Sequence, residues 1–537
     1  MFRQKETEKG YFERIKNKFR GEDPEIEYPD FEEIEEEAIN NDLIQLPQLE
    51  EDRYTKLDSY WLYKGFSKAL IYYDEFEENS EYRVIDPKID EYLDLKNGLR
   101  KELKNKLLKV DIKENKEKLF YNNFKKVIRR VKEPIEIPKF LKLYYHLKRD
   151  LLGYGGLQPF IEDNYLEDIS INGVNIPLFV YHQRHQDLET NVKFGKEELE
   201  SLVMNVAERS DKRINFARPM AEATMPDGSR AQMSLGDEVT IRGSTITIRK
   251  FSEVPITPTD LISWETLSPE MMAYLWFLAE NERNIMIVGG TATGKTTTLN
   301  AMTLFIPWGA KVVTIEDTHE LRLPFDNWVP SVTRPQQGVE AEDIDMYDLL
   351  RGALRQRPEY IIVGEIRGKE AVTLFQAMST GHTSFSTLHA PTVERTINRL
   401  ENPPIEVPKS MIPTLDAIVV QSFVRGKEGK KRKVKEIQEI GNYNTETNSI
   451  QTNLLFRWNS NKNSFEKLSN SINLKLISDE TGTSYSKVKS EIQNRSKILS
   501  KMIENDVRRY KDVVKSIKRF QKRKQELYNE LGIKDES

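Results

Sequence analysis

Apolar residues in the second half of the chain come in short unbroken runs, and helical patterns separate them. Residues 285–288 form one such run. After a glycine-rich turn, Leu299, Met302 and Phe305 share one helical face, which Pro307 ends. Residues 311–315, 360–363, 384–388 and 417–421 read as further strands, with helices at 345–356 and 370–379. Strands alternating with helices predict a parallel sheet covered on both faces, with ligands bound beyond the carboxyl ends of the strands.

The pattern upstream is mixed. Phe140, Tyr144, Leu147 and Leu151 make a helix face that stops at Gly153. Strands are expected at 168–171, 178–181, 232–235 and 244–249, and a helix at 197–207. This predicts an α+β domain over 136–251. Pro255 and Pro258 make 252–262 a stiff linker, and Ser268-Pro269 starts the helix leading into the 285–288 strand. Nearer the start, 69–73 and 82–85 are β-like around a turn at 74–80, and 96–132 is lysine-rich and helical, giving a small subdomain and connector over 56–135. The basic turn 427–433 reads as a solvated hairpin tip. Helices at 486–505 and 507–531, stopped by Gly532, complete a C-terminal extension over 426–537 beyond the 263–425 core.

Composition narrows the chemistry. The 537 residues include no cysteine, which removes disulfides, thiolate catalysis and four-cysteine zinc sites. A net charge of −5 is slight for this length and argues against bulk nucleic-acid binding. No run approaches a membrane-spanning length and no signal peptide is visible, so the chain is expected in the cytosol with peripheral membrane contact. Residues 1–55 read as a charged tail. Arg3, Lys5, Lys9 and Arg14 flank Phe12, Ile15 and Phe19, a frayed helix in preference to a lipid anchor, and an acidic block spans 22–37.

The turn after 285–288 is Gly289-Gly290-Thr291-Ala292-Thr293-Gly294-Lys295-Thr296, followed by Thr297. It fits the phosphate-loop pattern G-x-x-x-x-G-K-[ST] between a strand and a helix. Glycines let backbone N–H groups wrap a phosphate, and the helix N-terminus adds positive potential. Lys295 suits the β and γ phosphates, and the Thr296 hydroxyl suits Mg²⁺. Three further sites end neighbouring strands: Glu316-Asp317-Thr318-His319-Glu320, Gly364-Glu365-Ile366-Arg367, and Gly381-His382 with His389. Hydrolysis of a γ-phosphate needs an oriented water and a charge clamp. Glu320 fits the base for that water and Glu365 a partner to Mg²⁺ through water, although either alone also suits a helix cap or a solvated loop. Gly364 stands where many nucleotide hydrolases carry Asp. His382 and His389 fit γ-phosphate sensors, subunit bridges or core histidines. With no third ligand in register, zinc is not expected.

Together these residues resemble the secretion and pilus-assembly ATPase superfamily of type II and type IV systems. Gly289–Thr296, 314–320, 362–367 and 381–389 look like its Walker A, Asp, Walker B and His boxes in order, and Gly364 is usual there. Tyr154-Gly-Gly-Leu-Gln-Pro159, 167–173, 226–230 and 247–251 look like its N-terminal domain. The 354–360 segment and the C-terminal extension look most like the archaeal branch, and no four-cysteine insert of the bacterial extension ATPases is present. The resemblance implies a RecA-like parallel-sheet ATPase domain preceded by an α+β domain, with a helical C-terminal extension. It implies ATP and Mg²⁺, a homo-hexamer at the inner face of the cell membrane, a polytopic platform protein and pilin-like subunits. The implied catalytic set is Glu320, Glu365, Lys295, Arg230, Arg249 and His389. Arg230 and Arg249 match arginines that reach the phosphates, and the short linker makes them expected to act in cis. Assembly of an archaeal type IV pilus-like filament is the expected task, with the archaellum rotary motor as the neighbouring reading. A nucleic-acid translocase, resting on the basic turn, is the rival of another class.

Overall fold

Residues 27–47, 50, 52–107, 115–131, 134–251, 255–334, 343–426 and 429–531 are described by a computed structural model. The basic stretch over the first twenty residues and Gly532 lie outside them. The chain divides into two units, Met1–Ser252 and Glu253–Ser537, and each holds a nine-stranded sheet.

The first unit contains β1 (Tyr54–Tyr63), β2 (Ser67–Asp74), β3 (Asn79–Ile85), β4 (Leu166–Ile171), β5 (Pro177–His182), β6 (Gln186–Lys193), β7 (Met220–Thr224), β8 (Arg230–Ser234) and β9 (Thr245–Arg249), in the order β1-β2-β3-β6-β5-β4-β9-β8-β7. Strands β8 and β9 largely alternate in burial, as expected of a sheet covered on one face: Ala231, Met233, Ile246 and Ile248 are inside, whereas Ala69, Leu70, Ile71 and Tyr72 of β2 are all buried. The β8 and β9 residues pack with Leu199, Val203 and Val206 of the helix Lys196–Arg209. The strands around 69–85, expected as a separate subdomain, instead continue this sheet through a β3–β6 pairing. Ala69, Ile71, Tyr82 and Val84 share one core with Ile169 and Val180. Buried Asp163 fastens the join, accepting the Tyr60 and Tyr82 hydroxyls at 2.7 Å each. Residues 27–47, expected within a charged tail, are also packed. Ile34 and Ala38, four apart on the helix Ile34–Asn40, turn inward while Glu32, Glu33 and Glu36 stay exposed. Tyr28 stacks on Phe140 with ring centroids 4.3 Å apart. The helices Leu93–Leu107, Lys116–Ile128 and Ile137–Leu152 complete that second core.

The second unit contains β10 (Ile285–Gly289), β11 (Val312–Glu316), β12 (Trp328–Val332), β13 (Tyr360–Ile366), β14 (Thr383–His389), β15 (Ala417–Gly426), β16 (Gly429–Asn444), β17 (Ser449–Asn459) and β18 (Ser464–Lys467). The order is β12-β11-β13-β14-β10-β15-β16-β17-β18. Pairings from β12 to β15 are parallel, and those from β15 to β18 are antiparallel. The continuous apolar runs follow from burial on both faces. Ile285 and Ile287 pack with the helix Pro269–Glu280, Met286 and Val288 with the helices Met346–Leu354 and Glu370–Ser379. This is the RecA-like arrangement that the resemblance implied, preceded in the chain by the α+β unit.

Three expectations change. Strand β12 was not foreseen, because Pro330 interrupts its run; a proline is tolerated there since β12 is an edge strand. Pro258 does not extend a linker but opens the helix Pro258–Ser263, capped by Thr257 in a reciprocal pair with Asp260. The basic turn is not simply solvated. Its residues 427 and 428 lie outside the described ones, but Lys433 is buried, donating to the Glu265 carbonyl at 2.6 Å and lying 4.6 Å from the Trp458 ring centre. At the end come the helices Ile472–Thr481, Tyr485–Glu504 and Tyr510–Leu531, the last broken at Arg523. Among the described residues, no helix is long and apolar enough to cross a membrane.

Candidate nucleotide site

Strand β10 delivers the glycine-rich loop to the carboxyl edge of the parallel sheet, and the helix Lys295–Thr303 leaves from it. Gly289 pairs in register with His389 on one side and Gln421 on the other, so three strand ends stand level. Gly289 must be glycine: a Cβ there would collide with the Gln421 carbonyl and the Thr293 hydroxyl. Gly294 caps the helix at φ +92°, in the left-handed region. Lys295 is buried, and its ammonium donates to the Gly290 carbonyl at 2.8 Å. The Thr293 hydroxyl donates to the same carbonyl at 3.0 Å. Thr291 and Ala292 are exposed at the crest, and Thr296 and Thr297 are half-buried in the first helical turn.

The carboxylates are arranged by strand irregularities. Glu316, at the end of β11, is buried and accepts the Glu320 and Leu321 amides at 2.9 Å each. That carboxylate folds the 317–321 turn and thereby sets the backbone of Glu320. Gly364 now has a reason: a Cβ there would stand 3.2 Å from Glu316 Cγ, so the aspartate of other hydrolases would crowd a buried glutamate. The β13–β14 register shifts between Val363 and Ile366. Gly364 and Glu365 occupy that bulge, a device that re-aims side chains, and the Thr387 hydroxyl holds the Gly364 carbonyl at 2.6 Å. Glu365 lies 3.1 Å from His389 Nε2 and accepts Arg367 at 2.6 Å. Arg367 also pairs with Asp317 at 2.8 Å, which links the β11 and β13 ends. Burial, and next the charge of Lys295, hold the His389 pKa below its ordinary value despite Glu365.

A family model described as type II/IV secretion system protein matches residues 178–518, well over half of the chain. The chain belongs to that family. Methanocaldococcus jannaschii protein MJ0900 is 41% identical over 385 residues, 71% of this chain and 69% of that protein. The type IV secretion system protein PtlH of Bordetella pertussis is 30% identical over 273 residues, 44% of this chain and 80% of its own. Among solved structures, the VirB11 ATPase from the Brucella suis type IV secretion system is 26% identical, covering 55% of this chain and 93% of its own with a TM-score of 0.28. The M. jannaschii relative fits the archaeal branch.

Within the second unit of this secretion-family chain, the fold brings together Lys295, Glu365 and His389, with Glu316 fixing the turn that carries Glu320. Arg230 and Arg249 stand in the first unit as a cross-strand pair on β8 and β9, Arg249 also opposite Asp168 of β4. His382 lies at the opposite end of β14 from His389, hydrogen-bonded within its own turn to Ala377. Magnesium takes oxygen ligands, keeps several waters and shares substrate phosphates. Among the described residues no group of three His, Cys, Asp or Glu side chains is placed to hold a metal. The Thr296 hydroxyl and the Glu365 carboxylate are hard oxygen donors of the type such an ion takes, so the residues fit it. Sequence reasoning missed Glu316, Arg367, Thr387, Gln421 and Arg432. Glu316 and Arg367 lie inside quoted motifs, whereas Gln421 and Arg432 carry no motif signal.

Proposed function

We propose that this chain is a magnesium-dependent ATP hydrolase that drives assembly of an archaeal type IV pilus-like filament, or related secretion, through a membrane platform protein. The observation that carries the reading is the convergence of the phosphate loop, the Glu316–Glu320 turn, the Glu365 bulge and His389 at one edge of a parallel sheet. Backbone N–H groups of the loop cradle the phosphates, and Lys295 moves from the Gly290 carbonyl to the β and γ oxygens. Glu320 orients the attacking water and accepts its proton. Glu365, held by Arg367 and His389, would order water for a bound Mg²⁺. Thr296 and Glu365 would hold Mg²⁺, which neutralises charge developing on the phosphate oxygens. Arg230 and Arg249 add bidentate contacts to the phosphates from the same chain.

Such a motor would work as a hexameric ring at the inner face of the cell membrane, on pilin-like subunits. An archaellum motor is the alternative within the family. Against the nucleic-acid reading, Lys433 of the basic turn is buried against the Glu265 carbonyl, and Arg432 is hydrogen-bonded to the Ala292 carbonyl. Phosphate release from ATP by the purified full chain tests the proposal. Turnover that requires magnesium and a ring-sized mass by light scattering are expected. Absence of turnover in the hexameric and every smaller state overturns it.

A further inference from the structure

We propose that Arg432 is a positioning residue for the nucleotide phosphates, reaching the loop from the β15–β16 hairpin. The proposal rests on the ATP reading above. Arg432 Nε donates to the Ala292 carbonyl at 3.0 Å. Its stem lies along the loop: a Cβ built on Gly294 would stand 3.5 Å from Arg432 Cδ. The side chain is itself placed by the hairpin, since Arg432 pairs in register with Phe423 and its guanidinium lies 5.8 Å from that ring centre.

The consequence is a matter of peptide geometry. A trans peptide is planar, so its carbonyl and the following N–H point in opposite directions. A charged donor that holds the Ala292 carbonyl outward therefore aims the Thr293 N–H into the concavity where phosphate binds. Something must hold this peptide, because Ala292 sits at φ +58°, a conformation that a non-glycine residue adopts at a cost. Two residues earlier, the Gly290 carbonyl is held from within by Lys295 and Thr293. Ala292, at the exposed crest, is held from outside the loop. Gln421 completes the splint, accepting the Thr298 hydroxyl at 2.9 Å on the first turn of the phosphate-loop helix. The hairpin thus pre-organises donors before nucleotide arrives, so that no reorganisation is needed when charge develops.

The loop amides cradle the β phosphate, so the effect should separate ADP from AMP. Displacement of a fluorescent ADP analogue from the full-length protein, by ADP and by AMP, reads this directly. Arg432→Ala should weaken ADP about tenfold, the scale of one charge-assisted hydrogen bond, and AMP much less. Arg432→Lys should recover part of the loss, because it keeps a charged donor without the fork. The thermal midpoint without nucleotide should barely move. An unchanged ADP-to-AMP ratio in Arg432→Ala overturns the proposal, as does an equal loss for both, which marks a general loosening of the fold. If Arg432→Ala does not fold, Arg432→Gln and Arg432→Lys are read by the same ratio. A parent protein that binds no ADP removes the nucleotide reading and this proposal together, whereas a parent that binds ADP alongside Arg432 variants with an unshifted ratio removes this proposal alone.

Discussion

The two sides of the phosphate loop are built differently. On one side, the ends of β11, β13 and β14 present Glu316, Glu365 and His389, tied together by the Arg367 ion pairs to Asp317 and Glu365 and by the Glu365–His389 contact, and turned by a bulge. On the other, the β15–β16 hairpin touches the loop through Gln421 and Arg432, and neither contact involves an acid–base partner. On the proposed reading, Glu365 and His389 of the first side meet substrate while Glu316 sets the turn that carries Glu320; the second side fixes the backbone of the loop. Chemistry restricts the residue types on the first side tightly. On the second it asks only for a donor of the right reach, so the demand is on geometry.

The largest expected effect comes from the group that both sides serve. Lys295→Ala should leave the fold intact and lower ATP turnover by about a thousandfold, since one lost phosphate contact costs several kcal/mol in the transition state. Steady-state phosphate release measures it. Turnover above about a tenth of the parent rate would remove the phosphate-loop assignment.

That contrast explains what was legible in the sequence. The parallel strands were readable because burial on both faces leaves unbroken apolar runs such as Ile285 to Val288. The site residues came from spacing after those runs. Gly364 read as a departure from other hydrolases, and only the fold supplied its cause, the Glu316 side chain pressed against it. Arg432 was illegible for a different reason. It lies in a run of lysines and arginines that looks like a solvated tip, and its partner is a carbonyl 140 positions away. Residues 27–47 misled in the same way: exposed glutamates masked the i, i+4 spacing of Ile34 and Ala38.

On the acidic side, Glu320→Gln and Glu365→Gln should each slow hydrolysis by about a hundredfold, the usual range for a positioned proton acceptor. They should differ in metal dependence. Glu320→Gln should bind ATP at the parent's magnesium requirement, whereas Glu365→Gln should need more. ATP affinity across a magnesium titration separates them. Identical curves would contradict the division of roles and leave Glu365 as a partner to Arg367 and His389 only.

In the first unit, Arg230 and Arg249 stand opposite one another on β8 and β9. Arg230→Ala should lower turnover at least tenfold, as expected when a cationic clamp on the phosphoryl group is lost. If the arginine acts in cis, mixing Arg230→Ala with Lys295→Ala chains leaves every site short of one group. Activity should then stay absent under subunit exchange. Recovery on mixing would assign the arginine to a neighbouring subunit.

The smallest effect is a titration. His389 stands beside Glu365, which alone would raise its pKa, yet burial and then the Lys295 charge prevail and lower it. The ring should therefore be neutral through the ordinary histidine range near about pH 6.5, donating from Nε2 to the carboxylate 3.1 Å away. The sign follows for stability: the unfolded chain takes up this proton first, so His389 lowers stability as pH falls through that range toward its folded value. Ring NMR resonances of the six histidines, assigned with His389→Gln, follow the titration. His389 should titrate below the ordinary value in the parent and move upward in Lys295→Met, which deletes the neighbouring charge while keeping the stem. A parent value at or above the ordinary one would mean that Glu365 prevails, and that the acidic side of the site carries a charged imidazolium pair in place of a neutral hydrogen bond.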